Sequence, residues 1–468
     1  SQSSCRSSLL IGWSRIYKKR GCMTIKILHG SCLDTLKTLP EQSINTCITS
    51  PPYWGLRDYG TAEWEGGDKN CPHMRTTKIG KDTSTGHKAM FEQGNVVGDA
   101  IYKSSCPECG AIRKDSQLGL EETPEEFVRN LVQVFKEVKR VLRDDGTVWL
   151  NLGDSYSGSG KGPSSSLNKA HHDLEKTHSK IVPDNLKPKD LVGIPWRVAF
   201  ALQADGWYLR QDIIWHKPNP MPESVQDRCT KAHEYIFLLS KNPKYYYDNE
   251  AIKEDSIYAP DKTKEVEREK GYYDGKWSNP EEGSRHDGSF KAIREKKNKR
   301  SVWSVSPKAF KGAHFATFPP DLIEPCVLAG CPEKVCVDCN EPYVREMKII
   351  EVAPKENIQI NDKRKEFDSS MGGGGTSLKG HSGHFKEDGT PVVTPKEDLG
   401  LKKQCDCVTN KAKSGTVLDP FGGSGTTAQV ANGNNRDAVL CELNKEYIEI
   451  AKQRIAPHGD LFIDIEVV

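Results

Sequence analysis

The chain has 468 residues, and 67 lysines and arginines against 65 aspartates and glutamates give it a formal net charge of only +2. This length predicts two or three structural units around a sizeable core. The charge balance excludes a protein that is basic over its whole surface, but it leaves room for a local basic surface that binds nucleic acid. Hydrophobic residues make up 35% of the chain, which predicts long loops or inserts. No apolar run approaches the roughly 18 residues of a membrane span, so no membrane association is expected.

The first 22 residues are expected to be a leader or an upstream remnant, with a genuine N-terminal arm as the alternative. The apolar run at 9–13 is too short for a secretory signal. We therefore expect a cytoplasmic protein, near the nucleoid if the source is a bacterium or a phage. In that reducing compartment the fifteen cysteines are expected to be thiols or metal ligands rather than disulfides.

Apolar periodicity predicts alternating strands and helices at both ends of the chain, separated by polar inserts. Thr123, Pro124 and two acids form a strong helix start. This alternation predicts an α/β fold with one doubly wound sheet. Strands are predicted at 25–28, 44–49, 147–152, 208–215, 235–240, 416–418 and 438–441, and helices at 32–39, 123–142, 195–205, 426–432 and 445–455. Loops or inserts are predicted at 61–117, 154–190 and 241–312, and a low-complexity stretch at 354–404.

A glycine-rich turn follows the strand at 416–418 and leads into a helix. Glycines let a ligand approach the backbone, and the N–H groups of the helix start face that ligand. Glu442 ends the next strand, where a carboxylate can accept both hydroxyls of a ribose. A plain tight turn is the alternative, and the glycine spacing departs from the dinucleotide fingerprint. The candidate cofactor-binding residues are Asp419, Pro420, Phe421, Gly422, Gly423, Ser424, Gly425, Thr426 and Glu442.

A second motif, Ser50-Pro51-Pro52-Tyr53-Trp54, follows the strand at 44–49. Two prolines stiffen the backbone and remove two N–H donors, which leaves the carbonyls of Ser50 and Pro51 as acceptors. The Ser50 hydroxyl and the Tyr53 ring complete a set suited to a planar ring that carries an exocyclic amine. A turn that merely ends the strand is the alternative.

Together the two motifs resemble those of the amino-methyltransferases of DNA, which methylate an exocyclic nitrogen. The order of the motifs, catalytic first and cofactor last, resembles the permuted β group of that family. Further similar stretches are 151–156, 215–220 and 314–319. The resemblance implies a Rossmann-like methyltransferase sheet, S-adenosylmethionine as cofactor, and duplex DNA as substrate. It also implies Ser50, Pro51, Pro52 and Tyr53 as catalytic residues and adds Ser31 and Phe318 to the cofactor side.

Two departures from the family pattern concern the cofactor side. The chain has Ser31 where the family commonly has aspartate, which puts an acidic cofactor contact there in doubt. It also has Gly422 where alanine is usual, a change we expect to be harmless.

The resemblance also bears on the target base and on the mechanism. Ser-Pro-Pro-Tyr goes mostly with cytosine N4 and a first-position Asp or Asn mostly with adenine N6, so cytosine N4 is preferred and adenine N6 is the alternative. Direct methyl transfer to a flipped base is implied, with Tyr53 stacked on the base. Two more distant alternatives are an inactive zinc-dependent DNA-binding protein and an N-methyltransferase that acts on proteins or small molecules.

The cysteines form two candidate zinc sets. Cys-x2-Cys pairs are typical of zinc knuckles, and a bound metal would stabilise polar inserts that have few apolar residues. Cys331 is a competing ligand for the set at 336–407, and free thiols are the alternative for both. The sets are Cys71, His73, Cys106 and Cys109, and Cys336, Cys339, Cys405 and Cys407; two structural Zn²⁺ ions are expected.

Residues 291–311 hold eight lysines or arginines against one acid, a local balance of +7. Phosphate contact is the functional interpretation, and a solvated charged loop is the alternative. The expected DNA contacts are Trp54, Lys217, Asn219, Lys296, Lys297, Lys299, Arg300 and Trp303. A cognate restriction endonuclease and a homodimer remain open alternatives as partners.

These assignments divide the chain into segments with different roles. Residues 23–60 and 118–240 are expected to form the catalytic half of the core, and 313–330 with 411–468 the cofactor half. The inserts are a zinc-binding segment at 61–117, a target-recognition region at 241–312 and a zinc-ribbon-like segment at 331–410.

Overall fold

The computed structural model describes residues 23–55, 61–73, 105–114, 116–158, 182–183, 185–255, 296–308, 318–349, 396–456 and 463–468. The leader at 1–22, most of the loop predicted at 154–190 and most of the low-complexity stretch lie outside these ranges. None of the helices in the described ranges combines the length and the apolar character that a membrane span requires.

The strands and helices alternate much as the sequence predicts. The strands are β1 (Met23–His29), β2 (Ile44–Thr49), β3 (Glu63–Glu65), β4 (Ile112–Lys114), β5 (Leu142–Leu152), β6 (Tyr208–His216), β7 (His233–Ser240), β8 (Glu254–Asp255), β9 (Lys296–Lys297), β10 (Val302–Ser304), β11 (Val335–Cys336), β12 (Val344–Ile349), β13 (Lys396–Lys402), β14 (Ala412–Lys413), β15 (Thr416–Asp419), β16 (Asp437–Glu442) and β17 (Ile463–Val467). The helices are α1 (Cys32–Lys37), α2 (Pro124–Val141), α3 (Ile194–Ala204), α4 (Pro320–Gly330), α5 (Thr426–Gly433) and α6 (Lys445–Ile455), with a 3-10 turn at Glu250–Ile252.

Nine of these strands form one sheet in the order β10-β6-β7-β5-β2-β15-β16-β1-β17. Among them only β7 runs antiparallel to its neighbours. The strands from the two ends of the chain meet in the middle of the sheet, where β2 lies parallel to β15. The sheet is therefore doubly wound with a permuted strand order, which confirms the predicted fold class.

Helices cover both faces of the sheet, because alternate residues of each strand point to opposite sides. Val148 and Leu150 pack into the apolar core that includes residues of α1, α2 and α3. Thr147 and Trp149 point the other way, towards α4, where a Cβ added to Gly330 would lie 2.5 Å from Trp149 Nε1. Close approach of α4 to the sheet therefore depends on glycine at position 330.

The helix α2 shows how the sequence pattern produces the fold. Its N-cap is Thr123, whose side chain accepts from the backbone N–H of Glu126, and Pro124 occupies the first turn. These features fix where the helix begins. The apolar stripe of the helix is fully buried against the sheet, as predicted: Phe127, Leu131, Val134, Phe135 and Val138.

Several segments differ from the predicted elements, and two of them lie in sequence predicted as an insert or a low-complexity stretch. Residues 396–402, predicted as low-complexity sequence, form β13 and pair antiparallel with β12. Val302–Ser304, predicted as part of a basic DNA-binding segment, pairs with β6 at the edge of the sheet as β10. Both segments are short and lie beside charged, weakly periodic sequence, so no local periodicity marked them as strands.

The described residues fall into two compact units. The larger lies within Ser1–Tyr247, Ser301–Pro342 and Cys407–Val468 and contains the nine-stranded sheet. The smaller lies within Asp248–Arg300 and Tyr343–Asp406 and contains the antiparallel pairs β8–β9 and β12–β13. Within the smaller unit Arg345 donates to Asp248, whose carboxylate is buried.

Candidate active site and metal centres

One cleft opens where β2 and β15 end. The two strands are neighbours, with Thr46 opposite Val417 and Cys47 opposite Leu418, so their carboxyl ends lie at the same edge of the sheet. At that edge Thr49 Oγ1 donates to Asp419 Oδ1 over 2.6 Å. The turn Ser50–Tyr53, predicted to be catalytic, and the glycine-rich loop, which are far apart in the sequence, therefore meet in one place. Ligands of open α/β sheets bind at such an edge.

Both predicted motifs line this cleft, together with residues that the sequence did not indicate. From the catalytic turn come Ser50, Pro51, Pro52 and Tyr53. From the cofactor side come Ser31, Phe318, Asp419, Pro420, Phe421, Gly422, Gly423, Ser424, Thr426 and Glu442. The additional lining residues are Gly30, Cys32, Thr61, Ser116, Gln117, Leu118, Cys441, Leu443, Asn444 and Tyr447.

The carboxylate of Asp419 is buried and accepts its hydrogen bonds from groups of the protein itself. The residue is only 2% exposed, and its oxygens accept from Thr49 Oγ1, from Thr427 Oγ1 at 2.6 Å and from the Phe421 N–H at 3.0 Å. Burial raises the pKa of this carboxyl, against the lowering effect of these three donors. Asp419 therefore holds the loop in shape, whereas the sequence predicted a direct cofactor contact.

Glu442 lies at the end of β16 and lines the cleft, as predicted for a ribose-binding carboxylate. Its Oε2 accepts from the Gly423 N–H at 2.7 Å, and its Oε1 accepts from the Asn444 N–H at 2.8 Å. Burial raises the pKa of this carboxyl to about 7. Each carboxylate oxygen can accept a second hydrogen bond, so the group retains capacity for a ligand hydroxyl.

The rest of the cofactor loop is braced from α6. Arg454 donates to Ser424 Oγ and to Thr426 Oγ1, both at 2.7 Å. Gly425 is the N-cap of α5 and has a φ of 77°, and a Cβ there would lie 2.9 Å from Ala451 Cβ. At Gly422 a Cβ would lie 2.9 Å from Leu440 Cβ. A side chain at position 422 would therefore crowd β16, so glycine suits this position, where the family usually has alanine.

The catalytic turn presents its polar groups to the cleft. Among the described residues, no hydrogen-bond partner faces the Ser50 hydroxyl, and Ser50 is half-buried. Tyr53 is half-buried, and its hydroxyl donates to Glu234 Oε2 at 2.7 Å. Trp54 is 5% exposed and donates through Nε1 to the Glu121 carbonyl at 2.9 Å. Trp54 therefore belongs to the core, which argues against its predicted contact with DNA.

The remaining predicted DNA contacts have different surroundings. Asn219 and Lys296 are exposed, and Lys297 and Lys299 are half-buried. Arg300 donates to Glu254 at 2.6 Å, so part of the predicted positive balance is neutralised. Lys217 pairs with Glu234 beside the catalytic turn. Residues 291–295 and 309–311 of the basic segment lie outside the described residues.

Trp303 is the clearest correction among these contacts. It is 6% exposed in β10, and its ring centroid lies 6.4 Å from that of Trp149. A ring packed inside the sheet is not available for insertion into a DNA groove.

The structure brings together all eight predicted metal ligands in two groups. The ligand atoms of Cys71, His73, Cys106 and Cys109 lie within 4.8 Å of one another, and so do those of Cys336, Cys339, Cys405 and Cys407. Cys331 is buried in the core and is not part of the second group, so it is not a competing ligand. Both groups can hold a structural zinc ion.

The spacing within the first group fits zinc. Cys71 Sγ lies 3.7 Å from Cys106 Sγ, and Cys109 Sγ lies 3.5 Å from His73 Nδ1. Zinc bonds of about 2.3 Å to sulfur and about 2.0 Å to nitrogen give tetrahedral edges of about 3.8 Å and about 3.5 Å. A disulfide would need sulfurs about 2.0 Å apart. The donor set therefore matches a four-coordinate metal rather than a disulfide.

Two turns with the same backbone pattern carry the Cys-x2-Cys pairs. In the first, the Gly110 N–H donates to the Cys106 carbonyl at 2.8 Å, and Gly110 has a φ of 73°. In the second, the Asn340 N–H donates to the Cys336 carbonyl at 3.0 Å, and Asn340 has a φ of 61°. Glycine and asparagine are the residues that most readily adopt this left-handed conformation. Both turns are thus knuckles that hold two thiolates on one side.

Several residues that line the cleft or contact its lining carry no local sequence pattern that marks them. Thr61 and Ser116–Leu118 flank the first knuckle, and Thr61 donates to Gln117 Oε1 at 3.5 Å. They lie in polar, weakly periodic sequence, which carries no local signal of a cleft wall. Glu234 lies at the start of β7, and because β7 is antiparallel its first residues reach the edge where β2 ends. Only the strand direction reveals this.

The fold and the cleft define a class: an α/β methyltransferase with permuted motif order. The model of the DNA methylases that act on N6 or N4 matches residues 44–339 and 395–453. The chain belongs to this DNA methylase family. It is a DNA methyltransferase of the N4/N6 type, and S-adenosylmethionine is the methyl donor of that family.

Individual relatives agree with this assignment. The type II methyltransferase M.SmaI of Serratia marcescens is 32% identical over 430 residues, which are 92% of this chain and 90% of that protein. The type II methyltransferase M.Cfr9I of Citrobacter freundii is 38% identical over 304 residues, 65% of this chain and 72% of that protein. Among solved structures, the PvuII DNA methyltransferase (cytosine-N4-specific) aligns with a TM-score of 0.43 at 14% identity, covering 95% of this chain and 94% of that chain.

Proposed function

We propose that this chain transfers a methyl group from S-adenosylmethionine to the exocyclic N4 of a cytosine in duplex DNA. The observation that carries the proposal is the junction of the two motifs at Thr49 Oγ1 and Asp419 Oδ1, 2.6 Å apart. It joins a turn of open acceptors to a glycine-rich loop in a single cleft. Adenine N6 is the alternative target.

On the cofactor side, Glu442 is proposed to accept the ribose hydroxyls. The backbone of Phe421–Gly423 would lie against the ligand, because glycine leaves that surface without side chains. Ser31 and Phe318 line the same cleft and complete the proposed cofactor wall. S-adenosylmethionine, when bound, supplies a methyl group on a positively charged sulfur.

On the base side, Tyr53 is proposed to stack on a target base that has left the duplex. Ser50 Oγ and the Pro51 carbonyl accept from the exocyclic amine, so that its lone pair points at the methyl carbon. An N–C bond would form as the S–CH₃ bond of the methyl donor breaks, S-adenosylhomocysteine would leave, and the amine would lose one proton to solvent. Most of the rate enhancement comes from this positioning and from acceptors matched to the charge that develops on nitrogen. No cysteine nucleophile is required.

Cytosine is preferred over adenine because the first residue of the tetrad is serine. In the family that the motif resembles, the tetrad Ser-Pro-Pro-Tyr occurs mostly in enzymes that methylate cytosine N4. The Ser50 hydroxyl is neutral and faces the cleft. This support rests on one residue, so the identity of the methylated base is the property to measure first.

The inserts are proposed to recognise DNA and to fold around structural zinc. We propose the target-recognition role for 241–312, with exposed Lys296 as a phosphate contact, and we propose exposed Asn219 of the β6–β7 connection as a further DNA contact. The segments 61–117 and 331–410 are proposed to fold around structural zinc. A cognate restriction endonuclease is proposed because the similar proteins are type II methyltransferases.

The experiment is transfer of tritiated methyl groups from S-adenosylmethionine to mixed-sequence genomic DNA, followed by mass spectrometry of the nucleosides. We expect N4-methylcytosine. N6-methyladenine would support the alternative, and the absence of transfer to any DNA would overturn both. Zinc is measured in the same preparation by atomic emission, with two equivalents expected per chain.

A further inference from the structure

A polar cluster holds the hydroxyl end of Tyr53. The hydroxyl donates to Glu234 Oε2 at 2.7 Å and lies 3.1 Å from Asn151 Oδ1. Asn151 in turn donates through Nδ2 to the Tyr235 carbonyl at 3.1 Å, which fixes its side chain. Lys217 forms an ion pair with the other oxygen of Glu234. The tyrosine hydroxyl therefore contacts a carboxylate that is itself held by a lysine and an asparagine.

Three strands bring this cluster together at the edge of the cleft. Asn151 lies near the end of β5, opposite Ile236 of β7. Lys217 follows β6 directly, and its N–H donates to the Ala232 carbonyl at 2.8 Å. The side chains of Glu234 and Lys217 are 15% and 21% exposed. Partial burial strengthens a hydrogen bond to an ionised acceptor, so this contact restrains the ring more than a surface bond would.

A second observation concerns the ring of Tyr53 itself. A Cβ added to Gly153 would lie 2.5 Å from Tyr53 Cε2 and 3.2 Å from Cζ. Gly153 does not have a positive φ, so its backbone does not require glycine. The missing side chain leaves room for the ring, which lies directly against the main chain. Backbone on one side and the carboxylate at the hydroxyl leave the ring little freedom.

We propose that Glu234 is a positioning residue for the methyl transfer: it fixes the Tyr53 ring in the orientation that stacks on the target base. This inference rests on the proposed function. A ring fixed before the base arrives does not lose freedom when the base stacks on it, so binding free energy is kept for the reacting geometry. Lys217 supports Glu234 by holding the carboxylate in one orientation through their ion pair.

The first test is Glu234→Ala, assayed as methyl transfer to DNA. We expect kcat to fall about tenfold or more, because a hydrogen bond to a charged group is lost, while the Kd for S-adenosylmethionine stays unchanged. Glu234→Gln keeps an acceptor at the same place and should recover most of the lost kcat. The matched control is Glu223→Ala, since Glu223 is a similarly shielded carboxylate, 18% exposed and ion-paired with Arg228, in the β6–β7 connection that precedes the strand carrying Glu234. It should leave kcat within about twofold, as is usual for changes that remove no contact of the site.

The decisive test is a double-mutant cycle with Tyr53→Phe, which keeps the ring and removes the hydroxyl. If Glu234 acts through that hydroxyl, Glu234→Ala should cost about tenfold in the wild-type background and almost nothing in the Tyr53→Phe background. A merely structural role of Glu234 would persist in both. Gly153→Ala gives an independent check: its Cβ displaces the ring, so kcat should fall while cofactor binding is kept.

Two failures can be told apart. If the wild-type protein transfers no methyl group to DNA, the proposed function fails. If the wild-type protein is active and Glu234→Ala has the same kcat, or loses the same factor with and without the Tyr53 hydroxyl, the positioning role is wrong.

Discussion

At the end of β2, the turn Ser50–Tyr53 lines the cleft; two prolines stiffen its backbone, and Glu234 accepts a hydrogen bond from the hydroxyl of Tyr53. At the end of β15, the loop that starts at Asp419 uses most of its polar side chains internally: Asp419 bonds Thr49 and Thr427, and Ser424 bonds Arg454. The same edge of the sheet thus carries one turn whose Ser50 hydroxyl has no hydrogen-bond partner among the described residues and one loop whose polar side chains bond each other and their neighbours. Substitutions in the turn should therefore lower turnover, whereas substitutions in the loop should lower stability and cofactor affinity.

The largest effect on turnover is expected in the turn Ser50–Tyr53. Ser50→Ala removes an acceptor that has no structural partner among the described residues, so we expect kcat to fall about a hundredfold with unchanged folding and cofactor affinity. Ser43→Ala is the control, because the Ser43 hydroxyl only bonds the Pro40 carbonyl at 2.7 Å in an exposed turn. Steady-state kinetics and thermal unfolding of both variants check this. A loss of stability in Ser50→Ala would mean that the turn is not the open element described above.

On the cofactor side, substitution of Asp419 is expected to lower the stability of the fold, whereas substitution of Ser50 is not. Asp419→Ala leaves two buried hydroxyls and one N–H without their acceptor, so unfolding should become easier by about 3 kcal/mol or more. Loss of cofactor affinity should follow from the distorted loop. Asp419→Asn keeps one acceptor and should lose less. Asp437→Ala is the control. Asp437 accepts from the Thr24 N–H at 2.9 Å at the start of β16, away from the cleft. Its replacement should reduce stability without weakening cofactor binding.

The first knuckle tests whether the catalytic side depends on metal. Its flanking residues Thr61 and Ser116–Leu118 line the cleft, so Cys106→Ser should remove one equivalent of zinc and lower methyl transfer about tenfold, through a disordered wall. Cys229→Ser is the control, because Cys229 is exposed and belongs to neither metal group. Zinc content and kcat are measured together. Full zinc content in the Cys106 variant would contradict the metal assignment.

The contrast between the two turns also explains what the sequence could reveal. Glycines, prolines and a strand-end acid mark the ends of β2, β15 and β16, and Cys-x2-Cys spacing marks both knuckles, because these signals are local. The roles of Asp419 and Glu234 depend on which strands are neighbours and on the direction of β7, and no local pattern encodes either. Trp54 and Trp303 illustrate a second limit: a tryptophan in polar sequence suits a core as well as a DNA contact until its packing is known.

The smallest effect, and the finest test of the cofactor side, is the pH dependence at Glu442. Burial raises the pKa of this carboxyl to about 7, so the folded protein holds a proton there that the unfolded chain, with its ordinary lower pKa, has already released. The stability that this proton contributes is present at low pH and is lost as the pH rises through about 7.

Cofactor affinity changes in the opposite direction, because the charged carboxylate is the better acceptor for ribose hydroxyls. Calorimetric titration with S-adenosylmethionine should show affinity rising by up to about tenfold between about pH 6 and about pH 8. Glu442→Gln should bind more weakly and with a flat profile over that range. A wild-type profile as flat as that of the variant would mean that the ribose does not bind Glu442.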